Sequence, residues 1–321
     1  MRHVGRHSVA RLGGPPSRRA ELRRRLAGVG DTRAGDYLLV VPALALVALA
    51  FLYPLAFTVD TSFHDVRIGN VVSGGAPWVG LDNWRETLAD TRFQHALMVS
   101  AIYSVASIGI AFVIAFALAL LLAERFPGSG TMRALLLLGW VLPTVVSANV
   151  WRWMLDGEYG VLNFVLEKVG LIDGPTFWLT DPATALIGAI LVTVWITVPF
   201  DLVLLIAGLQ GIPAQLHEAA ASDGATAWQR LRHITLPLMR PVSLVVVLLS
   251  FIYTFRTFDN VYVLTRGGPG DATSIVPIYA YQESFRFFRF GEGAVATTVL
   301  LVISLVLCLG YFGLSRGERT A

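Results

Sequence analysis

Residues 96–123 read ALMVSAIYSVASIGIAFVIAFALALLLA and contain no charged side chain. An α-helix rises about 1.5 Å per residue, so this run exceeds the roughly 30 Å of hydrocarbon in a bilayer. Inside lipid every backbone polar group needs a partner, and a helix provides these partners within the segment itself. The run therefore predicts a membrane-spanning helix and indicates the class of fold.

Further apolar runs of similar length lie at 37–59, 134–151, 183–210, 241–265 and 294–315. Hydrophobic residue types make up 55% of the chain and charged types 15%. A soluble domain has about 25% charged residues, so the composition excludes a soluble globular enzyme and also a disordered chain. We predict an all-α polytopic membrane protein with six transmembrane helices.

Basic residues are concentrated before the first span, where residues 1–35 hold nine arginines against Glu21 and Asp31. Counted together with this tail, the segments on its side of the membrane hold 16 Lys and Arg residues against seven in the segments on the other side, and such an excess marks the cytoplasmic side. We therefore expect both termini to be cytoplasmic, and we do not expect a nucleic-acid partner. The predicted organisation is a disordered tail at 1–35, a transmembrane domain at 36–315 and a C-terminal tail at 316–321.

The chain contains one lysine, Lys168, and one cysteine, Cys308. A phosphate-binding P-loop needs Ser or Thr after its Lys, whereas Val169 follows Lys168. A single cysteine excludes a disulfide framework and a cysteine-based metal site. The sequence also lacks a catalytic triad and a metal-ligand spacing. We expect a chain that is not an enzyme and that depends on another chain for any ATP it uses.

The connection at 211–240, between the fourth and fifth spans, is too long for a simple link. Residues 214–221 are good helix formers, and Gly224 tolerates the left-handed backbone that ends a helix. Thr226 is suited to cap a second short helix. The connection therefore predicts two helices around a glycine, and one interpretation is a helical hairpin lying on the membrane surface.

Prolines within or beside the apolar runs predict interruptions of helices. We expect Pro143 to kink the third span. Pro199 frees a backbone carbonyl in the fourth span, and such breaks are tolerated where helices line cavities. Pro237 and Pro241 are expected to end the second helix of the 211–240 connection and to lead into the fifth span.

Several segments carry a recognisable pattern: Glu218-Ala219-Ala220, Asp223-Gly224-Ala225, Ile234-Thr235-Leu236-Pro237, Tyr262-Val263-Leu264-Thr265-Arg266-Gly267-Gly268-Pro269-Gly270 and Val79-Gly80-Leu81-Asp82-Asn83-Trp84. The first three resemble the EAA motif of binding-protein-dependent ABC importer permeases. The others resemble the carbohydrate branch of that family, the maltose and glycerol-3-phosphate permease type. The resemblance covers approximately residues 36–315.

The resemblance implies a type I ABC importer permease fold in a bacterial plasma membrane. It implies a cytoplasmic coupling helix that contacts an ATPase subunit through Glu218, Ala219, Ala220, Asp223 and Gly224. The implied partners are a second permease in a heterodimer, two ATP-binding subunits, an extracellular sugar-binding protein, a carbohydrate substrate and membrane lipid. ATP and Mg are implied to bind to the ATPase subunits, so no cofactor is expected in this chain.

Polar groups inside the spans are candidates for the substrate pathway, because a charge at mid-bilayer costs at least about 2.5 kcal/mol. Arg256 and Asp259, three residues apart, either form an ion pair near the interface or line a polar cavity. Asp201 either lines a cavity or has a packing role. The full set of candidates is Trp195, Phe200, Asp201, Tyr253, Arg256, Asp259 and Asn260.

Aromatic side chains are candidates because sugars stack their apolar faces on rings. Trp195 lies deep in the fourth span, where a substrate contact and a packing role are both open. Trp151 and Trp153 lie near a span end, where tryptophan is typical of the interfacial belt.

Two other classes of function are compatible with parts of the sequence. An ion-gradient-driven secondary transporter would use Asp201 and Asp259, but it would leave the 211–240 connection without a purpose. A membrane-anchored enzyme or scaffold would need a site that the sequence does not show. Within the importer interpretation, glycerol-3-phosphate would require a cationic pocket. Only Arg256 is predicted to be a basic residue inside a span, so a neutral sugar is favoured.

Overall fold

The computed structural model describes residues 34–73, 75–124 and 126–317. The predicted Arg-rich tail, apart from its last two residues, and most of the predicted C-terminal tail lie outside the described residues. The chain consists of two compact units, and the boundary between them lies between Phe57 and Thr58. Within the described residues the helices are, in chain order, α1 (Ala34–Val47, continued by a π turn at Ala48–Leu52 and by Tyr53–Thr61), α2 (Ile68–Val71), α3 (Asp82–Ala89), α4 (Thr91–Ala123), α5 (Ser129–Val141), α6 (Thr144–Met154), α7 (Val161–Lys168), α8 (Pro182–Gln210), α9 (Ala214–Ser222), α10 (Ala227–Arg230, continued by a π turn at Leu231–Thr235 and by Leu236–Phe255), α11 (Asp259–Thr265), α12 (Val276–Tyr281, followed by a π turn at Gln282–Arg286) and α13 (Phe290–Gly317).

Helices long and apolar enough to cross a membrane are found at Val40–Thr61, Thr91–Ala123, Pro182–Gln210, Ala227–Phe255 and Phe290–Tyr311. The predicted all-α polytopic fold is thereby confirmed. Aspartates begin two of these helices: Asp90 accepts a hydrogen bond from Arg92 N, and Asp181 accepts one from Ala183 N. Such caps satisfy backbone donors that the first helical turn leaves without partners.

The third predicted span is not one helix but two. Helices α5 and α6 meet at Leu142 and Pro143 with a bend of 101°. Both linking residues are extended, with ψ of 137° and 133°. Proline disfavours the helical conformation for the residue before it, so the predicted kink is in fact a complete break. The pair counts as a sixth span only if it is taken as one broken crossing.

The fifth predicted span was placed wrongly at both ends. Helix α10 runs from Ala227 to Phe255 and passes through Pro237 and Pro241 without stopping. A π turn directly precedes this stretch, and Leu236 N bonds to Leu231 O in its wider register. A π turn inserts a residue into the helix and accommodates local disruption of the hydrogen-bond ladder. The helix then ends at Phe255, well before the predicted end.

The interior is held together by α4, α8 and α10. Helix α4 contributes the fully buried Ala111, Ala115 and Ala119, which pack in one cluster with Val198 and Leu202 of α8. Small residues at four-residue spacing let helix backbones approach closely within a membrane. This packing positions the middle of α8, which carries several of the candidate pathway residues.

A single asparagine fixes the connection between α6 and α8. Asn163 Nδ2 donates to Gly157 O at 2.9 Å and to Thr176 O at 3.0 Å, and Asn163 Oδ1 accepts from Trp178 Nε1 at 2.7 Å. The side chain is buried. Buried backbone carbonyls require such partners, so Asn163 joins the two halves of this connection into one structure.

Replacing Gly160 with alanine is expected to destabilise this connection. A Cβ there would lie 2.2 Å from Asp156 O and 2.7 Å from Met154 O, and neither backbone atom moves easily. We expect a cost of about 3 kcal/mol, at the upper end for overpacking. The measurement is the unfolding temperature of the purified protein in detergent. Gly174→Ala is the matched control in the same connection, because its Cβ would meet nothing within 4 Å. Equal stability of the two variants would contradict the expectation.

Candidate functional site: an intramembrane cavity and the α9 loop

A cavity of about 300 Å³ opens at the break between α5 and α6, and we call it the inner cavity. Side chains of α8, α10 and α11 complete its wall. Its polar lining consists of hydroxyl groups and one amide: Thr144, Thr193, Thr197, Ser250, Tyr253, Thr254, Thr257 and Asn260. Its apolar lining is Trp140, Leu142, Ile196 and Phe200. The lining therefore contains no charged side chain.

A buried hydrogen-bond network anchors one side of the inner cavity. Thr193 Oγ1 donates its proton to Ala189 O at 2.9 Å, so it must accept from its other neighbours. These neighbours are Tyr103 OH at 2.6 Å and Asn260 Nδ2 at 2.8 Å. The network joins α4, α8 and α11 and holds the Asn260 amide in a fixed orientation.

Aromatic rings form another side of the inner cavity. The Phe200 ring centroid lies 5.9 Å from that of Trp140 and 5.8 Å from that of Tyr253. The Tyr253 side chain is 67% exposed, so much of its ring is open for contact. A sugar has an apolar face and a polar edge. Aromatic rings can contact that face, and hydroxyl groups around the same space can bind that edge.

Asp201 lies behind the inner cavity rather than in its wall. Its side chain is fully buried, and Ser250 Oγ donates to Asp201 Oδ1 at 2.6 Å. Asp201 Oδ2 has no hydrogen-bond partner in the part of the chain that the structure describes. Ser250 does line the inner cavity. Asp201 therefore joins α8 to α10 through a residue of the cavity wall.

Arg256 and Asp259 do not share a helix, contrary to the sequence interpretation. Arg256 follows the end of α10, and Asp259 begins α11 after a break. Both side chains are exposed, and among the described residues no ion pair joins them. Neither lines the inner cavity. The proposed pairing on one helix face fails because the fifth span ends before these residues.

Trp195 is also outside the lining of the inner cavity. Its ring centroid lies 5.8 Å from that of Trp151, and its edge approaches Gly139 of α5. Trp153 is exposed and does not line the inner cavity. Of the predicted pathway residues, the structure brings Phe200, Tyr253 and Asn260 together at one cavity.

Sequence reasoning missed most of the hydroxyl groups and Trp140. A signal was present, because Thr193 and Thr197 are four residues apart in α8, while Ser250, Thr254 and Thr257 recur at helical spacing across the end of α10. Residues three or four apart share one face of a helix. Two polar stripes on neighbouring apolar helices would have indicated a cavity between them.

Helix α9 ends in a well-formed cap. Gly224 has φ +81°, Gly224 N donates to Ala221 O at 3.0 Å, and Ala225 N donates to Ala220 O at 2.9 Å. These two bonds are those of a Schellman motif, in which the left-handed position is usually glycine. Gly224 is thus a rigid helix stop rather than a loose hinge.

The start of α10 is capped as the sequence predicted. Thr226 Oγ1 accepts from Gln229 N at 3.3 Å, and Gln229 Oε1 accepts from Thr226 N at 2.7 Å. This reciprocal pair is a capping box. With caps on both sides of Gly224 and Ala225, the short link between α9 and α10 has a defined geometry.

Helix α9 and the link that follows it, residues 214–226, are called the α9 loop, and this loop presents an exposed surface. The side chains of Glu218, Ala219 and Asp223 are exposed, and Trp228 at the start of α10 is 64% exposed. Helix α10 then leads without interruption from this loop to Ser250 and the other cavity residues near its end. One helix therefore connects the exposed loop to the inner cavity.

The sequence of this chain is similar to those of known proteins. Residues 111–314 match the family described as binding-protein-dependent transport system inner membrane component. The trehalose/maltose transport system permease protein MalF of Thermococcus litoralis is 35% identical over 284 residues, covering 88% of this chain and 94% of that protein. The diacetylchitobiose uptake system permease protein DasB of Streptomyces coelicolor is 32% identical over 313 residues, covering 93% and 94%.

A solved structure agrees with the fold. The crystal structure of a bacterial ABC transporter involved in the import of the acidic polysaccharide alginate contains a chain that matches with a TM-score of 0.75. The match covers 92% of this chain and 97% of that one at 22% identity. At this identity the likeness concerns the arrangement of the helices.

Proposed function

Because this chain belongs to the family of binding-protein-dependent transport system inner membrane components, we propose that it carries a neutral carbohydrate through the inner cavity. Membership of the ABC importer permeases agrees with the resemblance seen in the sequence. The chain is an integral membrane transport subunit, not an enzyme. The alternative of an ion-gradient-driven carrier has no support among the relatives.

The uncharged lining of the inner cavity is the observation that carries the proposal of a neutral substrate. Glycerol-3-phosphate would need a cation to balance its phosphate, and no charged side chain lines the inner cavity. Hydroxyl groups, the Asn260 amide and the Tyr253 ring instead suit sugar hydroxyls and an apolar sugar face. The relatives named for trehalose or maltose and for diacetylchitobiose support the same class of substrate.

The α9 loop is proposed as the coupling element. Glu218, Ala219, Ala220, Asp223 and Gly224 would enter a cleft of an ATPase subunit on the cytoplasmic side. Rigid caps at Gly224 and Thr226 favour this role, since a flexible loop would absorb the motion of the ATPase. Helix α10 would then pass that motion to Ser250 and Tyr253 in the wall of the inner cavity.

The proposed assembly contains a second, different permease, two ATP-binding subunits and an extracellular sugar-binding protein. ATP and Mg would bind to the ATP-binding subunits. Both termini and the α9 loop would face the cytoplasm of a bacterium. Trp195, Asp201, Arg256 and Asp259 would act in packing or at the rim of the pathway rather than at the inner cavity itself.

Purification and transport by the native assembly test the proposal. A tag on this chain should recover a second permease and an ATPase from membranes. In proteoliposomes with the binding protein, vanadate should block uptake of trehalose, maltose or N,N′-diacetylchitobiose, and a protonophore should not. Uptake that a protonophore abolishes would contradict the ATP-driven mechanism, and ATPase stimulation by glycerol-3-phosphate alone would contradict the neutral substrate.

A further inference from the structure

A second and larger cavity, of about 630 Å³, lies near the N-terminal end of α8, and we call it the outer cavity. Its wall combines the end of α6, the connection held by Asn163 and the end of α11. The α9 loop follows the other end of α8, which is 29 residues long. The outer cavity therefore lies on the opposite face of the membrane from the proposed coupling loop.

The two cavities lie at opposite ends of one pair of helices. Helices α6 and α11 pack against each other; Thr144 and Asn260 at their beginnings line the inner cavity. Arg152 and Arg266 at their ends line the outer cavity. Arg152 lies eight positions after Thr144, which corresponds to about 12 Å along a helix. The two cavities are thus about two helical turns apart along this pair.

Exposed polar side chains without protein partners line the outer cavity and are available to a ligand. Among the described residues, the side chains of Arg152, Glu158, Tyr159 and Arg266 form no hydrogen bond or ion pair. Tyr159 is 88% exposed. Two guanidinium groups, a carboxylate and a phenol thus offer several donors and acceptors within one concave space.

The charges around the outer cavity balance. Asp156 also lines it, and Asp156 Oδ1 accepts hydrogen bonds from Tyr159 N at 3.0 Å and Glu158 N at 2.9 Å. These bonds lower the pKa of the Asp156 carboxyl and keep it ionised. Two arginines therefore face two carboxylates, which favours a neutral polar ligand over an anion.

The wall of the outer cavity is formed in advance of any ligand. Phe177 lies directly over Gly157, where a Cβ would come within 2.3 Å of the ring. A Cβ at Gly157 would require the Phe177 ring to move, and the Asn163 hydrogen bond holds Gly157 in place. A wall fixed in this way binds without the entropic cost of ordering a loop.

We propose that the outer cavity is a second carbohydrate site, which receives the sugar before it reaches the inner cavity. This inference rests on the proposed function. Arginine and carboxylate groups bind sugar hydroxyls as donors and acceptors, and the rings of Tyr159 and Phe177 offer apolar faces. The volume lies in the range of small-molecule sites. Because the space is concave and charge-balanced and contains unpaired polar groups, it is better suited to bind a small polar solute than to dock another protein.

Cysteine labelling of the complete complex tests this site. In a Cys308→Ser background, Tyr159→Cys and, separately, Glu158→Cys place a thiol in the outer cavity. Arg286→Cys places the control thiol at an exposed position that does not line it. The rate of reaction with a membrane-impermeant maleimide is measured in the absence of ATP. It is compared between the complex with no addition, the complex with trehalose, maltose or N,N′-diacetylchitobiose, and the complex with sugar-free binding protein.

We expect the transported sugar alone to slow labelling of both outer-cavity thiols, by about tenfold at ten times its Kd, and to leave the control unchanged. Labelling that no sugar slows, in a complex that takes up sugar, would overturn the second site and leave the proposed function standing. Protection by the binding protein alone would identify a protein-docking surface and would overturn it as well. A complex that takes up none of these sugars would instead contradict the proposed function.

Discussion

Replacing Gly224 with valine is expected to reduce sugar uptake by at least about tenfold while the protein still inserts into the membrane. The Gly224 backbone has φ +81°, and a left-handed conformation costs an L-residue about 1–2 kcal/mol, with more for a β-branched one. The surrounding space is open, so the effect comes from the backbone and not from a clash. Valine would unwind the Schellman motif and change the direction in which α9 meets its partner.

The matched control is Gly224→Asn, because asparagine tolerates the left-handed region better than other non-glycine residues. We expect it to retain most of the uptake. The measurement is ATP-dependent uptake in proteoliposomes, together with ATP hydrolysis stimulated by sugar-loaded binding protein. Equal and undiminished uptake by both variants would show that the geometry of this cap does not matter for coupling.

Replacing Tyr253 with alanine is expected to lower uptake by about tenfold, equivalent to about 1.4 kcal/mol of lost contact. The ring packs edge-on against Phe200 and lines the inner cavity. Removing it takes away a stacking surface for sugar and also loosens Phe200. Coupling should persist, because the α9 loop is not altered.

Two further variants separate a sugar contact from a general effect of removing an aromatic residue. Tyr253→Phe keeps the ring and loses only the hydroxyl, so we expect it to transport well. Trp153→Ala removes a larger exposed ring that lines neither cavity, and its uptake should stay near that of the unaltered protein. A Tyr253→Ala variant with normal uptake would place the substrate elsewhere.

The sequence located the uncharged spans well, because long apolar runs have one stable solution in lipid. The prolines were harder to interpret. Pro143 breaks the third span completely, whereas Pro237 and Pro241 lie inside α10. A π turn at Leu231–Thr235 precedes Pro237, and such a turn depends on local register and has no signature in composition. Helix-breaking propensity alone could not distinguish these cases.

The inner cavity was only partly predictable. Phe200, Tyr253 and Asn260 were identified as candidates because they stand near charged residues, and the charged residues themselves do not line the cavity. Thr193 was overlooked because its hydroxyl bonds to the Ala189 carbonyl one turn earlier. A hydroxyl satisfied by its own helix carries little penalty in lipid, so a single Thr in an apolar run does not by itself indicate a cavity, whereas its spacing to Thr197 does.

The break at Pro143 has an electrostatic consequence. It leaves the first turn of α6, beginning at Thr144, at the inner cavity. The leading backbone N–H groups of a helix have no partners within it and carry the positive end of its macrodipole. This end attracts the oxygen atoms of a sugar and repels sodium ions and protons. On the proposed sugar pathway this positive end would oppose the passage of cations, so that a wet path for sugar need not discharge the membrane potential.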